Sequence, residues 1–147
     1  MKRAVRLAVV VMCLSFVAAT VATAQVPVKE GNVERVVLIH INAGRGDAFW
    51  ADMKKNTLPI WEAQKAAGLI VDYQWFVNQT TSSPNDWNVG YTLTYKNMAA
   101  LDGLADKAYD IRIKHYGDQA AEQKVVDKRV DNAHVVSSYL IRDVTIR

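Results

Sequence analysis

The chain of 147 residues has one cysteine, Cys13, and it sits in an N-terminal apolar run rather than in the body of the protein. If that run is removed, no disulfide, thiolate zinc site or cysteine nucleophile is available. No Gly-x-Ser-x-Gly elbow, P-loop or closely spaced pair of histidines occurs, which removes the commonest sequence signatures of acyl transfer, phosphate binding and metal ligation. Histidine itself is scarce: His40, His115 and His134 are the whole supply. Basic clusters are limited to Lys54-Lys55 and Lys128-Arg129, which read as solvated helix faces and give no nucleic-acid footprint.

The N-terminus is informative instead. Met1-Lys-Arg-Ala-Val-Arg6 is followed by a largely apolar stretch from Leu7 to Val21 and by Ala22-Thr-Ala24 before Gln25. A basic start, an apolar run and small residues two apart predict a secretory signal peptide over residues 1–24. The expected location is therefore periplasmic or extracellular, with no stable membrane association after cleavage. The segment carries Lys2, Arg3 and Arg6 and no acidic residue, so its removal takes the basic count from 18 to 15, against 15 acidic residues. The net charge of +3 belongs to the targeting segment. Residues 25–33 read as a flexible leader and residues 34–147 as one domain, long enough to bury a core without cross-links.

Two alternating runs dominate the domain. In Leu69–Val77 and Trp87–Tyr95 every odd position is apolar or aromatic, and most even positions are polar. A strand turns alternate side chains to opposite faces, so these runs predict a hairpin with its odd residues in the core. Before it, Glu34–Ile41 reads as a β-branched strand. A helix follows over 48–67, with Asp47 as N-cap, Gly68 as C-cap, and Pro59 imposing a kink near Lys55–Leu58 or a division into two helical pieces. After it come a helix over 98–116 capped by Asn97, a polar helix over 119–132, and a last strand over 135–146. The order β-α-β-β-α-(α)-β is the ferredoxin-like α+β pattern. Right-handed crossovers predict a four-stranded antiparallel sheet of order 4-1-3-2 with helices on one face.

The other sheet face should be half apolar. Val36 and Leu38 point there from the first strand, and the last strand is apolar on both sides: Val135, Tyr139 and Ile141 on one, Val136, Leu140 and Val144 on the other. A contiguous apolar patch of this kind predicts a homodimer with sheets packed face to face.

The stretches Val36-Val-Leu-Ile-His-Ile-Asn42 and Leu58-Pro-Ile-Trp-Glu-Ala-Gln-Lys-Ala-Ala-Gly68, the second running into Leu69-Ile-Val-Asp-Tyr-Gln-Trp75, resemble the dimeric α/β-barrel superfamily. They are similar in particular to a branch of small exported bacterial proteins of unknown function. The resemblance implies a fold and a dimer. Relatives include cofactor-independent monooxygenases, isomerases and haem-binding enzymes, but none of their catalytic motifs matches here, and no cofactor is assigned.

Candidate functional residues follow from facing. His40 should share the second sheet face with Asp72, Gln74 and Thr92, a setting in which a histidine with a carboxylate partner serves as general base. Burial of His40 in the dimer interface is the structural alternative. The aromatics Trp50, Trp61, Tyr73, Trp75 and Tyr91 fall on the helix side and are candidates to line a pocket for a small apolar or planar ligand, or simply to fill the core. His115, at the end of the second helix, favours its dipole, and His134 reads as a loop residue. Three functions stay open: a ligand-binding module, a cofactor-independent monooxygenase or isomerase using His40, and a haem binder using His115 or His40. No metal site is expected from the histidine spacing.

Overall fold

The computed structural model describes residues 27–147, and the expected signal segment lies outside the described residues. The elements run β1 (Val28–Ile41), α1 (Gly46–Asp52), a π turn (Met53–Thr57), α2 (Leu58–Ala66), β2 (Asp72–Val77), β3 (Val89–Tyr95), a 3-10 turn (Met98–Leu101), α3 (Leu104–Tyr116), α4 (Gln119–Asn132) and β4 (Ala133–Ile146). The four strands form one antiparallel sheet in the order β2-β3-β1-β4, as the strand pattern predicts.

β1 starts at Val28, six residues before the expected Glu34. Most of the supposed flexible leader is therefore strand. It is held because β4 is equally long, and Val28 pairs with Ile146 at the far end of the ribbon. Two irregularities interrupt this ribbon, between Glu30 and Val33 and between Leu38 and Ile39. The second changes which way β4 side chains face. Ser137 pairs with Leu38 but Val135 pairs with Ile39, so Val136 is the extra residue and the strand changes phase. Val135 therefore joins the helix face with Ile39, while Tyr139 and Ile141 sit on the other face opposite Val36 and Glu34.

Pro59 has the expected effect, and the form it takes is specific. Its ring offers no N–H to the preceding turn, and the helix widens into the π turn just before it. Asp47 is not the N-cap. Arg45 holds that position without a side-chain bond, and Asp47 lies in the first turn, where its charge suits the helix dipole. α2 ends as expected, with Gly68 at a left-handed φ of 71° and Leu69 N–H donating to the Gln64 carbonyl at 2.9 Å. The helix expected over 98–116 is split. Asn97 does cap its start by accepting from Ala100 N–H at 3.0 Å, but the chain turns at Gly103 (φ 63°) before α3 begins.

The hairpin alternation holds within β2 and β3 and fails at their ends. Ile70 is the buried residue of its segment and Val71 is exposed, the reverse of the expected phase, because the strand begins only at Asp72. Trp87 precedes β3 and meets Phe76 edge-on at 5.7 Å, on the opposite face from Trp75. Phe76 lies over Gly90: a Cβ added there would come within 2.4 Å of the ring.

The core fills the space between the sheet and the helices. Val33, Ile60, Trp61, Ile70, Leu93 and Tyr95 form one buried group, and Val37, Ile39, Phe49, Met53 and Val89 form a second. Trp75 and Tyr91 pack against both and join them. α4 packs on α1 and α3 and so lies on the helix side, leaving the second sheet face uncovered by it.

A cleft between the sheet and the π turn

Between the helix face of the sheet, the π turn and the end of α4 lies a cleft of about 300 Å³. Its apolar wall comes from Ile39, Phe49, Met53, Trp61 and Tyr91. Its polar end carries Asp52, Thr57 and Arg129, with Asn132 to Val135 along the rim.

The polar end is a connected network. Arg129 donates from Nε to Asp52 Oδ2 at 2.6 Å, and from Nη2 to Thr57 Oγ1 at 3.1 Å and to the Tyr116 hydroxyl at 3.2 Å. The second Asp52 oxygen accepts from Asn56 Nδ2 at 2.6 Å. Asn56 is buried, and its Oδ1 lies 3.2 Å from His115 Nε2. The π turn sets this arrangement. It carries Asn56 and Thr57, and it follows directly on Asp52.

Electrostatics follow from burial. Removal from water works against the Arg129 charge, but the hydrogen bond and attraction from Asp52 outweigh it and hold its pKa above the ordinary guanidinium value. Tyr91 is raised above the usual tyrosine range by burial, and so is Tyr116, although Arg129 opposes the shift there. The cleft thus presents the neutral phenol of Tyr91, a compensated ion pair and an aromatic wall. Such a site can hold a flat apolar body and hydrogen-bond a polar group at one end.

The five aromatics singled out from sequence do come together. Trp61 and Trp75 stack at 5.2 Å and 26°, Tyr91 meets them at 4.8 and 5.1 Å, Tyr73 meets Trp61 at 5.3 Å and Trp50 meets Trp75 at 5.5 Å. Only Trp61 and Tyr91 line the cleft. Trp75 is packing at the centre of the cluster and Trp50 is its exposed edge. Tyr73 donates to Glu62, and this bond is the main cause of its raised pKa.

His40 and Asp72 are not brought together. Asp72 belongs to the row of Thr94 and Glu34, six residues along β1 from His40 and two strands away. Six strand residues span about 20 Å, far beyond a hydrogen bond. Asp72 pairs instead with Lys65 at 2.7 Å, which lowers its pKa. Gln74 and Thr92 share the row of Val36, also away from His40. His40 Nδ1 lies 2.7 Å from the Asp86 carbonyl oxygen, and its ring faces His134, which is a β4 residue rather than a loop residue. Neither His40 nor His115 lines the cleft.

Sequence reasoning missed Asp52, Asn56, Thr57 and Arg129. The spacing of Asp52 and Asn56 just ahead of Pro59 was the available signal. Arg129 gave none, because beside Lys128 it reads as ordinary surface charge.

No family profile matches the sequence, and no curated protein matches it. Solved structures do. HapK from Hahella chejuensis superposes with a TM-score of 0.50 at 12% identity, covering 76% of this chain and 91% of that one. A dimeric ferredoxin-like protein from an uncultured marine organism gives 0.46 at 17% identity, covering 81% and 98%. A DABB family protein with a ferredoxin-like fold from Mesorhizobium loti gives 0.44 at 13%, covering 80% and 99%. At these identities the likeness is one of fold: the chain carries the ferredoxin-like α+β architecture.

Proposed function

We propose that this protein is an exported homodimer that binds a small, planar, largely apolar molecule in the cleft between the sheet, the π turn and α4. The observation that carries this is the pairing of an aromatic wall, Phe49, Trp61 and Tyr91, with a hydrogen-bonding end at Asp52 and Arg129 in one space of about 300 Å³. That volume is at the lower limit of small-molecule sites, so a ligand of one or two rings fits best.

The dimer rests on the second sheet face. Leu38 from β1 lies there beside Tyr139 and Ile141 from β4, which are 45% and 44% exposed in the single chain, over a Val36 that is already buried. Burying an aliphatic side chain is worth about 1.5–3 kcal/mol, enough for several together to drive association. Export rests on residues 1–24, and a mature N-terminus at Gln25 by mass spectrometry is the expected product.

Binding is tested by thermal denaturation against a panel of one- and two-ring aromatic compounds bearing a carbonyl or hydroxyl group. A ligand of the folded state raises the melting temperature by mass action. Val135→Trp, at an exposed position on the cleft rim, should fill the mouth and abolish the rise while leaving the fold intact. A rise that survives in this variant would place binding elsewhere, and no rise across the panel would count against the cleft.

A further inference from the structure

Two of the three histidines, far apart in sequence, meet across the sheet. His40 near the end of β1 pairs directly with His134 at the start of β4, and their ring centroids are 5.2 Å apart. The bulge beside Leu38 brings this about, because it changes the phase of β4 ahead of His134. We propose that His40 and His134 form a two-histidine site for a divalent transition-metal ion, Zn²⁺ or Cu²⁺ in class.

Two independent observations support it. The first is the spacing. Metal–nitrogen bonds of about 2 Å place imidazole centroids about 3.2 Å from a shared ion, so a tetrahedral angle at the metal separates the centroids by about 5.2 Å. The observed separation of 5.2 Å matches that distance. The second is the tautomer. His40 Nδ1 lies 2.7 Å from the Asp86 main-chain oxygen, which can only accept a hydrogen bond. Nδ1 must therefore carry the proton, and the lone pair of the neutral ring is left on Nε2. A backbone carbonyl orienting the non-ligating nitrogen is the usual support of a metal-binding histidine.

The surroundings limit the site to two protein ligands. The Asp86 carboxylate is occupied by Ser82 N–H, the Ser82 hydroxyl and Trp87 N–H. Among the described residues no group of three ligand-type side chains forms, so water completes the coordination. Imidazole pairs of this kind suit zinc, copper or nickel better than hard cations. In the single chain His134 is exposed and His40 partly so, and both lie near the end of the β1–β4 ribbon.

The experiment is calorimetric titration of the purified protein, without a polyhistidine tag, with ZnCl₂, joined to electron paramagnetic resonance after Cu²⁺ addition. One ion per chain and a two-nitrogen copper signal are expected. His40→Ala and His134→Ala should each weaken binding about tenfold or more, since even supporting residues of metal sites cost that much. Because His40→Ala also removes the bond to Asp86, His134→Phe provides the cleaner variant: it keeps an aromatic ring at an exposed strand position while removing the ligand. Absence of zinc binding by the wild-type protein would overturn the proposal, as would equal affinity in His134→Phe.

Discussion

Arg129 of α4 and Asp52 at the end of α1 meet at 2.6 Å, tying together two helices 77 residues apart at the polar end of the cleft. Their side chains are 33% and 15% exposed, so the pair is neither a free surface ion pair nor a fully buried one. Arg129→Ala leaves Asp52 with Asn56 as its remaining side-chain donor and removes the bonds to Thr57 and Tyr116. A loss of about 2 kcal/mol in urea denaturation is expected after allowing for partial solvent screening. A double-mutant cycle with Asp52→Asn should give a coupling of about 1 kcal/mol. Strictly additive losses would mean that the two residues do not stabilise one another.

Tyr91, Tyr95 and Tyr116 are all held above the ordinary tyrosine pKa, in each case chiefly by burial. The folded state therefore gives up these protons later than the unfolded state. Stability from this source is fully present below about pH 10 and is lost as pH rises from there through the folded values. The urea midpoint should accordingly fall between about pH 9 and pH 11. Tyr91→Phe should lessen that fall, and an equally steep fall in the variant would assign the effect to other groups.

Gly90 has no room for a side chain. A Cβ would meet Phe76 Cε2 at 2.4 Å and Cζ at 2.6 Å, and the Val37 carbonyl oxygen at 3.0 Å. Gly90→Ala should cost about 1–3 kcal/mol through overpacking. Phe76→Leu should recover part of that loss when combined with it, because the nearest obstruction is a ring that can be replaced. Thermal melts of the two single variants and the double variant decide the matter.

The second sheet face provides a test by charge. Ile141→Lys places an ammonium group in the apolar patch beside Tyr139, where a face-to-face partner would bury it. Light scattering after size exclusion should show the wild-type chain at twice the monomer mass and the variant at monomer mass, with unchanged circular dichroism. A wild-type monomer at micromolar concentration would remove the dimer.

Much of the fold was legible because periodicity is a local signal. The β-branched run of β1, the alternation of β2 and β3 and the caps at Asn97 and Gly68 all act within a few residues. The places where expectation failed are those where a partner decides. Val28 is strand only because Ile146 lies opposite, and Val135 changes face only because a bulge intervenes at Leu38. The candidate site was the least legible part. Arg129 earns its position from Asp52, Thr57 and Tyr116, and no spacing along the chain brings those four side chains together. The His40–His134 pair was hidden for the same reason: it depends on register between the first and last strands.

β4 is also an edge strand. Among the described residues it pairs with β1 on one side only, so its other side presents N–H and C=O groups that no described strand takes up, over a 14-residue strand. Such an edge is a template for adding further strands, and with Ile146, Val144 and Val135 more than half exposed it carries the apolar character that favours aggregation. The bulge at Val136 breaks its flatness, and Arg142, joined to Glu30, sets a charged residue within the run. The strand that carries part of the proposed dimer face thus also presents an edge, and these two interruptions keep that edge from being flat and uniformly apolar.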